Sequence, residues 1–215
     1  MKLLKNLNYK KWLDILIKGI YAGVVIAIGG IVYLAVPNKV VGSFLFSIGL
    51  LTVCMYGLNL YTGKIGYILI NKIDYIWELF LSLIGNFIGA FIVGNVMRYT
   101  RFENYVELAK NISIIKINDE LISIFILSVF CGIMMYIAVN NFKRCKDLFG
   151  KYIGIFMCVM VFILCGFEHC VANMFYFSIA GIWSYKALLS LSVMVFGNSI
   201  GSILIAMYYN RFYKN

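Results

Sequence analysis

Apolar runs of about 20 residues, nearly free of charge, recur along this 215-residue chain. A segment like that settles in a bilayer only if every backbone N–H and C=O is satisfied from within, which leaves α-helices or a closed barrel. The runs are about twice the length of a membrane strand, so helices are expected. Composition agrees: 63% of the residues are hydrophobic and 13% charged, against about 25% charged in a soluble domain. Six spans are expected, near 19–36, 40–70, 77–97, 121–139, 152–185 and 187–209, within one membrane channel domain over residues 1–215. Residues 1–18 read as a cytoplasmic N-terminal segment rich in lysine. Lysines ahead of a first apolar run imitate a secretion signal, but the run is too long and lacks an A-x-A-like exit, so it is read as span one. The net charge of +10 arises from lysines in short loops and reads as topology rather than nucleic-acid binding.

Two of the spans are interrupted. Polar residues and glycines at Asn59, Thr62, Gly63 and Lys64 divide the second, and Gly166, Glu168 and His169 divide the fifth, so both helices are expected to break inside the bilayer. Spans three and six share a motif, Gly85-Asn86-Phe87-Ile88-Gly89 and Gly197-Asn198-Ser199-Ile200-Gly201, 112 residues apart. Each half of the chain, about 19–97 and 121–209, therefore reads as three spans with a broken middle one. An odd number of spans turns the second half upside down relative to the first, with the two broken helices meeting near the midplane. Thirteen of the lysines and arginines, including Lys143, Arg144, Lys146 and Lys151, fall on the side of the termini and six on the other, which predicts both termini in the cytoplasm; the expected location is the inner (plasma) membrane.

His169 is the only histidine of the chain, and an ionisable group at that depth points to transport or needs a partner. A half-helix N-terminus beside it favours a small anion. His169 can donate a hydrogen bond or a proton to an acidic permeant, and the Thr62 hydroxyl in the other half can hold the same solute. Lys116 lies in the one apolar stretch of a polar segment, 98–120, expected to be a loop; it can dip toward the pore and draw anions in. Glu168 is assigned to binding backbone amides freed by the break. The six cysteines form no C-x-x-C and lie mostly in apolar segments, so no metal or other cofactor is expected. No phosphate loop, carboxylate pair or nucleophile with a base is present, so no enzyme is expected. Two other classes are weighed. A water or glycerol pore would carry paired Asn-Pro-Ala loops, and Pro37 is the single proline here; an intramembrane enzyme would use Glu168 and His169 as acid and base.

Gly166-Phe167-Glu168-His169-Cys170-Val171-Ala172-Asn173-Met174 closely resembles the G-F-E-H-S-I-A-N-M signature of the formate/nitrite transporter family. Ala22-Gly23, Phe46 to Leu50, Gly57 to Thr62 and the two glycine–asparagine motifs extend the match. The resemblance implies an aquaporin-like fold, a homopentamer in a lipid bilayer with one pore per protomer, and no enzyme activity. It further implies constrictions at Leu50 and Leu60 toward the cytoplasm and at Phe46 and Phe162 toward the outside, with His169 midway. Thr62 falls on the family's loop threonine and Lys116 on its anion-drawing lysine, while Asn59 and Asn173 are expected to support the breaks. Where formate and nitrite members carry G-I-L-C-N-W, this chain has Ser128-Val129-Phe130-Cys131-Gly132-Ile133, putting Gly132 at a pore asparagine. Loss of that amide suits a spherical anion, so the chain looks most like the hydrosulfide branch, with formate or nitrite as alternatives.

Overall fold

A computed structural model describes residues 2–212, with side chains from Tyr9 onward. The side chains of Lys2 and Lys5, and Lys214, lie outside the described residues. The elements are α1 (Lys2–Ala35), α2 (Lys39–Phe46), α3 (Ile48–Tyr56), α4 (Tyr61–Lys64, continuing as a 3-10 segment over Ile65–Ile70), α5 (Tyr75–Met97), α6 (Asn104–Asn118), α7 (Leu121–Arg144), α8 (Leu148–Leu164), α9 (Cys170–Ala180) and α10 (Tyr185–Phe212). No strand occurs among the described residues. Five stretches are long and apolar enough to cross a bilayer: α1 from Tyr9, α2 with α3, α5, α7 and α10. The sixth crossing is shared by α8 and α9, of 17 and 11 residues, each short for the purpose alone. The expected six spans are thus present, the second and fifth broken.

The breaks are built identically in the two halves. Gly57 and Gly166 end α3 and α8 in the left-handed region, at φ 61° and 70°. Leu58 N–H then donates back to Val53 O at 3.0 Å, and Phe167 N–H to Phe162 O at 2.8 Å. One residue later the chain leans on the first helix of its own half: Asn59 N–H donates to Lys18 O and Glu168 N–H to Leu127 O, both at 3.3 Å. Leu60 and His169 are extended, and helix resumes at Tyr61 and Cys170.

Each break leaves backbone groups that no lipid can satisfy, and one asparagine per half takes them up. Asn86 on α5 donates to Gly19 O and Asn59 O, both at 2.8 Å, and accepts from Tyr61 N–H at 2.8 Å. Asn198 on α10 donates to Ser128 O and Glu168 O at 2.8 Å and accepts from Cys170 N–H at 3.0 Å. These are the asparagines of the repeated motif. Glycines let the clamps reach: a Cβ at Gly23 would overlap the carbonyl oxygen of Asn86, and one at Gly132 that of Asn198. Helix α1 accordingly packs on α5 as α7 packs on α10. The bond-for-bond match between halves of three crossings each is the inverted repeat, an all-α aquaporin-like arrangement.

Three expectations change. Gly132 is not a pore position: it is the counterpart of Gly23, pressed on the α10 backbone, and no side chain fits between the helices there. The segment 98–120 is not a loop, because Ala109, Ser113 and Lys116 recur at helical spacing and α6 lays that face on α9. The N-terminal segment does not stand apart from span one: α1 is continuous, with Lys18 paired to Asp14 within the helix and Lys11 to Glu78 of α5, both at 2.8 Å.

Replacing Asn198 by Leu orphans two buried backbone groups, Glu168 O and Cys170 N–H, at about 1–3 kcal/mol each, so the melting temperature of the purified protein in detergent is expected to fall sharply. Gly132→Asn is expected to lower the yield and melting temperature of folded protein as Gly23→Asn does, and not to act as a selective change in anion preference.

Candidate functional site

The N-termini of α4 and α9 face one another across the molecule, and a polar pair joins them. His169 is the N-cap of α9: its Nδ1 accepts from Ala172 N–H at 3.0 Å. A backbone amide can only donate, so Nδ1 carries no proton, and the ring hydrogen belongs on Nε2. Nε2 lies 2.9 Å from Thr62 Oγ1 in the first turn of α4. Leu60 holds the place in the first half that His169 holds in the second, so the symmetric scaffold presents one imidazole and one leucine. Phe162 stacks on the imidazole, with ring centres 5.6 Å apart, and meets Phe46 edge-on at 6.0 Å.

Two cavities flank this pair. The first, of about 320 Å³, is bounded by Tyr33, Phe46, Lys116, Phe162, Phe167, Glu168, His169, Asn173 and Tyr176. The second, of about 290 Å³, is bounded by Val53, Cys54, Asn59, Leu60, Gly63, Lys64, Phe142, Lys143 and Lys151. His169 closes the first, and Leu60 and Gly63, which bracket Thr62, close the second. Of the four residues assigned to constrictions, Phe46 and Phe162 line the first cavity and Leu60 the second, while Leu50, 1% exposed, packs in the core and lines neither. Gly132 lines neither cavity.

Two charged residues of the first cavity neutralise each other, and a third, Asp119, also lines it. Lys116 Nζ lies 2.6 Å from Glu168 Oε2, which also accepts from Asn173 Nδ2 at 2.7 Å. Glu168 therefore binds side chains rather than the freed backbone amides assigned to it, and Lys116 enters the cavity as half of an ion pair. With Glu168 4% exposed, this pair satisfies a carboxylate that would be costly alone. It also ties α6 to the second break. On the other side, Asn59 Oδ1 accepts from Lys64 Nζ at 2.8 Å, and Asn59 Nδ2 donates to Ile15 O at 3.2 Å, bracing the first break on α1.

Glu168 and His169 turn to different partners and share no hydrogen bond, so they do not form an acid–base dyad. Among the described residues no three His, Cys, Asp or Glu side chains gather as a metal site. Sequence reasoning missed Tyr33 and Tyr176 in the first cavity, and the joint presence of Cys54, Lys64, Lys143 and Lys151 in the second. Lys143 and Lys151 belong to the basic loop that the sequence reading uses for topology, and Lys64 to the break of the second span.

A family model described as formate/nitrite transporter matches residues 3–212. Among characterised proteins, a formate channel of Bacillus thuringiensis is 28% identical over 86% of this chain and 81% of its own length. A formate-nitrite transporter of Plasmodium knowlesi is 26% identical over 94% and 77%. Among solved structures, a pentameric formate channel with formate bound superposes with a TM-score of 0.81 at 22% identity, covering 96% of this chain and 99% of that one. An ion channel of the same family gives 0.76 at 20% identity over 100% and 93%. The match spans both clamped breaks and the polar pair between them, and the chain belongs to the formate/nitrite transporter family.

Proposed function

We propose that this protein is a multi-pass membrane channel for small monovalent anions or their conjugate acids, assembled as a homopentamer and without enzyme activity. Its termini lie on the cytoplasmic side of the inner (plasma) membrane, the side of the basic loop at 143–151. The pentameric formate channel supports the assembly, and the lysine and arginine asymmetry supports the orientation. The observation that carries the reading is the Nε2–H of His169, fixed by the α9 cap and aimed at Thr62 where two cavities approach from opposite faces.

A solute entering past Phe46 and Phe162, or past Leu60, leaves most of its water behind, which is costly for a charge. Nε2–H and the Thr62 hydroxyl replace one part of that shell, once their mutual hydrogen bond opens toward the solute. The imidazole acts here as a fixed donor. To lend a proton it would first have to become doubly protonated, and Nδ1 would lose its bond to Ala172 N–H, a cap of about 1 kcal/mol. The proton that neutralises the permeant therefore comes from water in the cavities, and His169 steadies the solute while it is dry. The Lys116–Glu168 pair holds the wall of the first cavity, with Asn173 and Asn59 supporting the breaks. With one donor nitrogen and one hydroxyl in an otherwise apolar neck, a spherical ion that needs few hydrogen bonds fits best. Hydrosulfide is the first permeant to test, with formate and nitrite next; the formate-channel relatives support formate.

In proteoliposomes, His169→Leu is expected to cut flux about 2- to 10-fold, the loss of one hydrogen bond to a solute that crosses neutral. His169→Asn keeps both a capping oxygen and an N–H donor and is expected to retain much of the flux with an unchanged pH profile. A His169→Asn protein that folds but has lost its pH dependence would restore the proton-lending role. Flux at constant total solute is expected to rise as pH falls, because the neutral acid grows in proportion; a rate independent of pH would show that the bare anion crosses.

A further inference from the structure

The two cavities differ in charge. The first holds Lys116 against Glu168, with Asp119 also on its wall. The second holds three ammonium groups, Lys64, Lys143 and Lys151, and no carboxylate lines it. Lys64 Nζ donates to Asn59 Oδ1 at 2.8 Å and shares Glu78 with Lys11, at 3.9 Å from one carboxylate oxygen while Lys11 is 2.8 Å from the other. Lys143 and Lys151 rest on aromatic rings, 4.0 Å from the centre of Tyr67 and 4.3 Å from that of Phe142, and among the described residues neither has an ion pair.

We propose that this three-lysine cavity is a binding site for a tetrahedral oxyanion of the phosphate or sulfate class, and that its occupancy blocks the passage from that side. Three like charges around one cavity repel, and a monovalent permeant offsets only one of them. A dianion offsets two and offers several acceptor oxygens to ammonium donors that have three N–H each. The cavity of about 290 Å³ admits such an ion with water around it. Its inner end is Val53 and Leu60, against which a dianion cannot shed its water, so the ion stays and fills the approach to Thr62. The phosphate can be free in solution or be the phosphomonoester headgroup of a lipid such as phosphatidic acid at the membrane edge; both present a terminal phosphate that can carry two charges, which a phosphodiester headgroup cannot. The binding claim stands on the cavity alone, and the block rests on the channel reading.

Cys54 lies on the wall of the same cavity and reports occupancy without transport. The full-length protein in phosphatidylcholine nanodiscs is treated with a water-soluble maleimide, and labelling at Cys54 is followed by mass spectrometry at matched ionic strength. Phosphate or sulfate at four times its dissociation constant is expected to slow labelling about fivefold, chloride is not, and Lys143→Gln/Lys151→Gln is expected to abolish the protection. Protection by phosphatidic acid without added phosphate, and not by phosphatidylglycerol, assigns the site to a lipid phosphomonoester. Calorimetric titration of both proteins with phosphate, and of both in nanodiscs containing phosphatidic acid, reads the same site independently of the thiol. In proteoliposomes, phosphate is expected to inhibit anion flux only from the Lys64 side. Equal binding by the parent and the double variant, or binding by neither, overturns the site. Protection in a protein that passes no anion leaves the site standing and removes the channel reading.

Discussion

The whole arrangement depends on the side-chain amides of Asn86 and Asn198. A helix that stops inside a bilayer exposes carbonyls and N–H groups to a medium that offers them nothing, and each costs several kcal/mol if left there. Asparagine meets the need because one short side chain carries two donors and an acceptor. Each amide ties the first helix of its half to both edges of the break. The glycines at Gly23 and Gly132 are part of the same device, since the asparagine backbone sits where a Cβ would be. Packing by small residues and a polar bond at the contact thus act together, as expected of helices that gain nothing from hiding apolar surface in lipid.

On this symmetric scaffold the chemistry is asymmetric. The corresponding residues of the two breaks are Asn59 and Glu168, then Leu60 and His169. One break ends in an amide and an aliphatic side chain, the other in a carboxylate and an imidazole. The carboxylate needs a cation, and α6, which joins the halves and has no counterpart within either, brings Lys116 to it. The backbone-facing nitrogen of the imidazole accepts from Ala172 N–H, so the α9 cap leaves the ring hydrogen on the nitrogen that faces Thr62. On the proposed reading, that choice makes the neck a rigid hydrogen-bond donor and leaves proton exchange to the wetter cavities.

The spans were legible because hydropathy is local and additive: a run of about 20 apolar residues has few alternatives. The breaks were legible because Asn59, Glu168 and His169 are misplaced in such runs, and the inverted repeat because the clamping asparagines stand in a recognisable glycine frame. Helix α6 was not legible. Its charges are mixed and its buried face is narrow, and the short apolar piece at 112–117 looked like a re-entrant fragment. Gly132 was misread because a sequence match gives a position on a helix without saying which way that face turns.

Sequence alone therefore determined the membrane setting, the number of crossings, the two breaks and the family, since each follows from patterns among neighbouring residues or from a motif repeated along the chain. Tertiary structure decided the rest. The bond between Lys116 and Glu168, the meeting of His169 Nε2 with Thr62, the burial of Leu50 and the gathering of Lys64, Lys143 and Lys151 around one cavity all join residues on different helices. The forces responsible, electrostatics and hydrogen bonding at about 3 Å, act on proximity in space, which hydropathy does not encode.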